Sequence, residues 1–152
     1  MSYQINQTKL STTKFRAKSE DHPDSWVFGT LVYDQKNQPY IVGRIITCDT
    51  DCAIMEFCTK AIVRTLGRFT GYHDQQGFEI YEGDYVRSVS EQRPVDIEGV
   101  VLDNLMGNFI IRERNAGKHT YHDLADLVFD FHWLGEQVNV INNIYDRPEL
   151  WR

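Results

Sequence analysis

Three groups of side chains in this chain have the types and spacing to do chemistry. Glu79, Glu82 and Asp84 form an acidic set that invites a hard cation or an acid/base role, since such cations need several convergent oxygens. Their spacing fits two turns better. Strand residues alternate between faces, so Glu79 and Tyr81 share one face, while Glu82-Gly83-Asp84 already bends the chain and Asp84 supplies local backbone hydrogen bonds. Cys48, Cys52 and Cys58, with His119 and His122, nominally hold enough soft ligands for zinc. A zinc knuckle usually presents close-spaced cysteine pairs twice over, whereas here the second pair would be histidines more than sixty residues away, so the thiols read as partly buried small hydrophobes. Lys60, Arg64 and Arg68 beside Phe69 and Tyr72 are a basic and aromatic mixture that can grip a phosphate or a stacked base. The plainer reading makes Phe69 core and the cations a solvated face.

Nucleophilic catalysis needs a nucleophile, a base and an orienting group, and no G-x-S-x-G elbow, phosphate-binding loop, dinucleotide fingerprint or H-E-x-x-H occurs. Gly67, Gly71, Gly77 and Gly83 are spaced as turn residues. The expectation is a protein that is not an enzyme and carries no cofactor and no metal. Trp26, Trp133 and Trp151 read as core or interface anchors.

These residues must be positioned by a chain of 152 residues, 41% hydrophobic, 25% charged and 12% aromatic, a composition that supports one compact domain. No apolar run approaches a membrane span and Met1 to Leu10 holds no apolar core of a signal, so the expected location is cytoplasmic, with no membrane contact. Three clustered cysteines suit a reducing compartment. Net charge is −6, but Lys9, Lys14, Arg16 and Lys18 precede the first acid, Glu20, which puts +4 on the first eighteen residues and −10 on the remainder. A body at −10 repels a duplex outside local patches, which disfavours generic nucleic-acid binding.

Residues 1–13 lack periodicity and read as a flexible leader, followed by a single β domain over 14–152. Trp26 to Tyr33 and Tyr40 to Ile46 flank a turn-like Asp34 to Pro39 and predict a hairpin. Between Thr47 and Arg64 helix and strand remain open. Arg68 to Tyr72 and Phe78 to Tyr81 form a tight hairpin around His73-Asp-Gln-Gln-Gly77. Further short strands begin at Tyr85, Gly99, Asn108 and Val138, a pattern suggesting a mainly β fold: a small SH3-like barrel with an N-terminal β-hairpin extension and short helical turns. Asp146-Arg-Pro-Glu149 predicts one terminal helical turn.

The stretch Thr70-Gly-Tyr-His-Asp-Gln-Gln-Gly-Phe-Glu-Ile-Tyr-Glu-Gly-Asp-Tyr-Val86 resembles the signature of the YopX-like proteins, which reads TGLxDxxGxxIYEGDxV. Lys14-Phe-Arg-Ala17, Trp26-Val-Phe-Gly-Thr-Leu31 and Val140-Ile-Asn-Asn-Ile-Tyr-Asp-Arg-Pro-Glu-Leu150 fall in the family's order, so the resemblance covers nearly the whole chain. It departs at Tyr72, where leucine is usual, at Lys18, where a tryptophan-aspartate pair often follows, and at Asn142, where glycine is common. The resemblance implies a mainly β protein encoded by phages or prophages and inclined to self-assemble, and it carries no established activity. The resulting expectation is an accessory protein that binds and inhibits or sequesters a host protein or small nucleotide signal of antiviral defence, as a homo-oligomer. A nucleic-acid-associated module of phage replication or transcription is the second reading, and a metal-dependent hydrolase the third. The residues expected to meet a ligand or partner are Arg16, Trp26, Arg64, Arg68, Tyr72, Tyr81, Glu82 and Asp84.

Overall fold

A computed structural model describes residues 13–48, 52–91, 93–115, 117–129 and 137–151. The expected leader, apart from Thr13, and Trp133 lie outside them. The chain divides into two compact units, one ending at Ile62 and the other beginning at Val63. This division redistributes the charge: seven basic and seven acidic residues fall in the first unit, nine and fifteen in the second. The entire net −6 therefore belongs to the second unit.

In the first unit, β1 (Phe15–Lys18), β2 (Trp26–Tyr33), β3 (Pro39–Val42) and β6 (Cys58–Lys60) lie side by side in the order β6-β3-β2-β1. Each pairs antiparallel with its neighbour, Arg16 opposite Phe28, Thr30 opposite Val42 and Tyr40 opposite Lys60. The β2–β3 turn is closed by Asp34, whose Oδ1 accepts the N–H groups of Lys36 and Gln38 at 2.8 and 2.9 Å. Such local acceptance is why aspartate opens turns. Ala17, Ile41, Val42 and Ala61 are buried.

The expected second hairpin strand, Tyr40 to Ile46, breaks at Gly43. There the Gly43 N–H donates to the Phe57 carbonyl at 2.9 Å, and a Cβ would stand 2.8 Å from the Phe57 ring. Beyond the break, β4 (Ile45–Cys48) pairs with β5 (Ala53–Met55) as a separate two-stranded ribbon. The segment left open by sequence thus forms strands, in keeping with its β-branched residues. All three cysteines are exposed, which corrects their expected burial: Cys48 ends β4 and Cys52 precedes β5, both on a ribbon whose strand residues are all exposed, and Cys58 lies on β6.

The second unit opens with a 3-10 turn, Val63–Thr65, and a hairpin of β7 (Gly67–His73) with β8 (Glu79–Tyr81). A five-stranded antiparallel sheet follows in the order β12-β11-β10-β9-β13, from β9 (Asp84–Val89), β10 (Ile97–Asp103), β11 (Phe109–Asn115), β12 (Lys118–Asp123) and β13 (Gln137–Asn143). Between β12 and β13 lies α1 (Leu124–Phe129), begun by Asp123, whose Oδ1 accepts the Ala125 N–H at 2.8 Å. Leu124 and Leu127, one helical turn apart, enter a core with Ile80, Val86, Ile97, Val101, Phe109, Ile111 and Val138. Burying each such side chain contributes ~1.5–3 kcal/mol. The fold is mainly β, as expected, but β12 and β13 are edges of an open sheet. No closed barrel, SH3-like or other, is found among the described strands. The terminal turn is present as a 3-10 helix, Pro148–Trp151. No described helix is long and apolar enough to cross a membrane.

Candidate functional site

The signature Thr70 to Val86 builds a joint. Asp74, 6% exposed, accepts the N–H groups of Gln76 and Phe78 on Oδ1 at 2.8 and 2.9 Å, and that of Val140 on Oδ2 at 3.2 Å. One carboxylate therefore closes the β7–β8 turn and ties it to β13. The Thr70 hydroxyl donates to the Ile80 carbonyl at 2.8 Å. Tyr81 is buried, its hydroxyl donating to Glu79 Oε2 at 2.7 Å and its ring 5.4 Å from that of Phe69. Asp84, also buried, accepts the Tyr81 N–H at 2.8 Å. Burial raises the Glu82 carboxyl above its ordinary range, against the opposing pull of the Arg68 backbone N–H that it accepts. Glu79 and Asp84 thus engage the hydroxyl and the backbone N–H of Tyr81, and Glu82 the backbone of Arg68. Among the described residues no three His, Cys, Asp or Glu side chains are grouped to hold one metal ion.

The expected site residues of this unit sort by the same geometry. Arg68 donates through Nη2 to Asp103 Oδ2 at 2.7 Å and lies 4.7 Å over the Phe109 ring, so it braces β7 to the sheet. Tyr72 packs against the core, and Arg64 is exposed on the first 3-10 turn. Tyr72 lies on β7, Tyr81 on β8, Glu82 in the turn that follows and Asp84 at the start of β9. In the first unit, Arg16 and Trp26 do meet, the guanidinium 4.5 Å over the indole.

The sheet's other features of this unit were not singled out by sequence. Tyr85 and Arg87 alternate with the buried Val86 and so turn away from the core. They line a hollow of about 540 Å³ with Val95, Asp96, Glu98 and Glu113. Arg87 bonds Glu98 at 2.5 Å and reaches Asp96 at 3.5 Å, the Tyr85 hydroxyl donates to Glu98 at 3.4 Å, and Glu113 meets His122 Nε2 at 3.0 Å. Burial, then the Glu98 carboxylate, raise the Tyr85 phenol above its ordinary range, so it stays a donor. A second hollow of about 210 Å³ shares Tyr85 and Glu98 and is closed by Trp151, on which Arg112 stacks at 3.9 Å while donating to its carbonyl at 3.0 Å. Strand alternation after the signature was the only sequence signal for this face. Three carboxylates around one guanidinium and a phenol form a surface that accepts ammonium or guanidinium donors.

A family profile described as YopX protein matches residues 14–152. The chain is also similar to a solved structure, the crystal structure of protein EF1440 from Enterococcus faecalis, at 16% identity and TM-score 0.47, covering 92% of this chain and 98% of that one. No curated protein matches it.

Proposed function

The chain belongs to the YopX family, and on that premise we propose that it is a phage or prophage accessory protein that acts by binding and not by catalysis. Its target on this reading is a host protein of antiviral defence with a basic surface. The observation that supports it is the hollow of Tyr85, Arg87, Asp96, Glu98 and Glu113, where three carboxylates outnumber one guanidinium, set in the unit that holds the whole net −6. Carboxylates there repel a phosphate, which favours a basic protein over a nucleotide signal at this face. Binding is preferred here to the hydrolase reading because Glu79, Glu82 and Asp84 serve the Tyr81 hydroxyl, the Arg68 backbone and the Tyr81 backbone.

Self-association is part of the proposal. The β4–β5 ribbon exposes Ile45, Ile46, Ile54 and Met55, and a two-stranded ribbon is marginal in water without a partner surface.

The test is calorimetric titration of the whole chain with a lysine- and arginine-rich peptide, alongside capture of host proteins on wild type and on D96N/E98Q. Binding should weaken with salt and fall about tenfold, ~1.4 kcal/mol, in the double variant. Equal binding by wild type and variant would refute the reading.

A further inference from the structure

Lys14, Arg16 and Lys18 alternate along β1 and its approach, so they share one face of the strand. Each lies over an aromatic ring of β2: Lys14 Nζ 5.8 Å from the Phe28 centroid, Arg16 Cζ 4.5 Å and Lys18 Nζ 5.5 Å from Trp26. The cross-strand neighbours of Arg16 and Lys18 are Phe28 and Trp26 themselves. Arg16, 7% exposed, is the buried middle of this ladder, whereas Lys14 and Lys18 are partly exposed and Phe28 is 43% exposed.

A hollow of about 350 Å³ opens beside the same ladder. Lys14, Phe28, Gly43, Arg44, Glu56 and Phe57 are among the residues that line it. The volume falls in the range that small planar ligands occupy. Gly43 sets the position of the Phe57 ring, because a Cβ there would stand 2.8 Å from it and push it aside. The Arg44 side chain is 90% exposed even though it pairs with Glu56 at 3.5 Å.

We propose that this cation and aromatic face of the first unit binds single-stranded nucleic acid, with a base in the hollow between Phe28 and Phe57 and the backbone phosphates along Lys14 and Lys18. Lys14 and Lys18 are four residues apart, ~13 Å along an extended strand and close to two nucleotides of an extended single strand. The whole-chain charge argued against nucleic acid, but the repulsive excess sits in the second unit and the first is neutral overall. An aromatic platform beside tracking cations is the general means by which proteins hold unpaired strands.

The test is fluorescence anisotropy with a labelled single-stranded oligonucleotide of mixed sequence, the full chain, and a series of salt concentrations. Binding should be strongest at low salt and at least tenfold tighter than to a duplex of the same sequence, whose bases are not available to Phe28 and Phe57. K14A/K18A should weaken it at least tenfold and flatten the log–log salt slope by about 1.4, at about 0.7 per phosphate contact on a single strand. Gly43→Ala should weaken it with the slope unchanged, and Phe28→Ala repeats that arm if Gly43→Ala misfolds by circular dichroism. D96N/E98Q should bind as wild type, which separates this site from the acidic hollow. No salt-sensitive binding, equal affinity for duplex, an unaltered K14A/K18A variant, or a free nucleotide binding as tightly as the strand would each overturn the proposal.

Discussion

The ring of Tyr145 closes on Gly83 so tightly that a Cβ on the glycine would stand 2.5 Å from the ring edge. The contact is reinforced by the Ile144 N–H, which donates to the Gly83 carbonyl at 3.0 Å, and by the Gly83 N–H, which donates to Val101 at 2.9 Å. Two stretches of family resemblance, Glu82-Gly83-Asp84 and Ile144-Tyr145-Asp146, are therefore one packing unit. Gly83 also holds φ at +86°, a conformation that side chains with a Cβ avoid.

Gly83→Ala is expected to destabilise the second unit by at least ~2 kcal/mol, combining left-handed strain with the clash. Gly77, at φ +88° with open space around its missing Cβ, is the matched control. Its alanine variant should lose only ~1 kcal/mol. Urea denaturation of both variants separates the two causes, and equal losses would show that Tyr145 has no steric part.

Glu82 makes stability pH-dependent with a definite sign. Its folded-state pKa is raised, chiefly by burial, so the folded chain holds the proton more tightly than the unfolded one. This group's contribution is fully present below the unfolded value of about 4.5 and is lost as pH rises through the raised folded value. Glu82→Gln keeps an acceptor for the Arg68 N–H and removes the buried charge. It should melt above wild type at pH 7, the gap closing as pH falls toward 4, and thermal melts across that range check the sign.

The β10–β11 hairpin ends in Leu105 and Met106, which are 93% and 89% exposed. Asp103 and Asn104 hold the tip by accepting the N–H groups of Leu105 and Met106 at 2.8 and 2.9 Å. Leu105 nevertheless sits at φ +63°, where asparagine is far better tolerated. Leu105→Asn should stabilise the isolated chain by about 0.5–1 kcal/mol, read from the urea midpoint.

Cys48, Cys52 and Cys58 are all exposed. A chromogenic disulfide reagent should therefore titrate all three rapidly under native conditions, and adding a chelator should change neither the count nor the rate. Slow reaction that needs denaturant would contradict the exposed ribbon.

Local chemistry made much of the second unit legible from sequence. The β7–β8 hairpin was readable because Asp74 and Gly77 close its turn with bonds spanning at most four residues, and the terminal 3-10 turn followed from Pro148 placed after Asp146. Alternation around Val86 is the signal from which a shared face for Tyr85 and Arg87 was available, though it says nothing of what else is on it. Tertiary structure alone decided that Asp96, Glu98 and Glu113 gather there, that Arg68 is spent on Asp103 thirty-five residues away, and that Asp74 reaches Val140 sixty-six residues on. It also decided the break at Gly43, the exposure of the cysteines, the open sheet edges and the partition of charge between two units. The reason is one of range: turn geometry and strand alternation are set by neighbouring residues, whereas register, burial and the convergence of charges depend on pairings between distant strands that no short stretch of sequence contains.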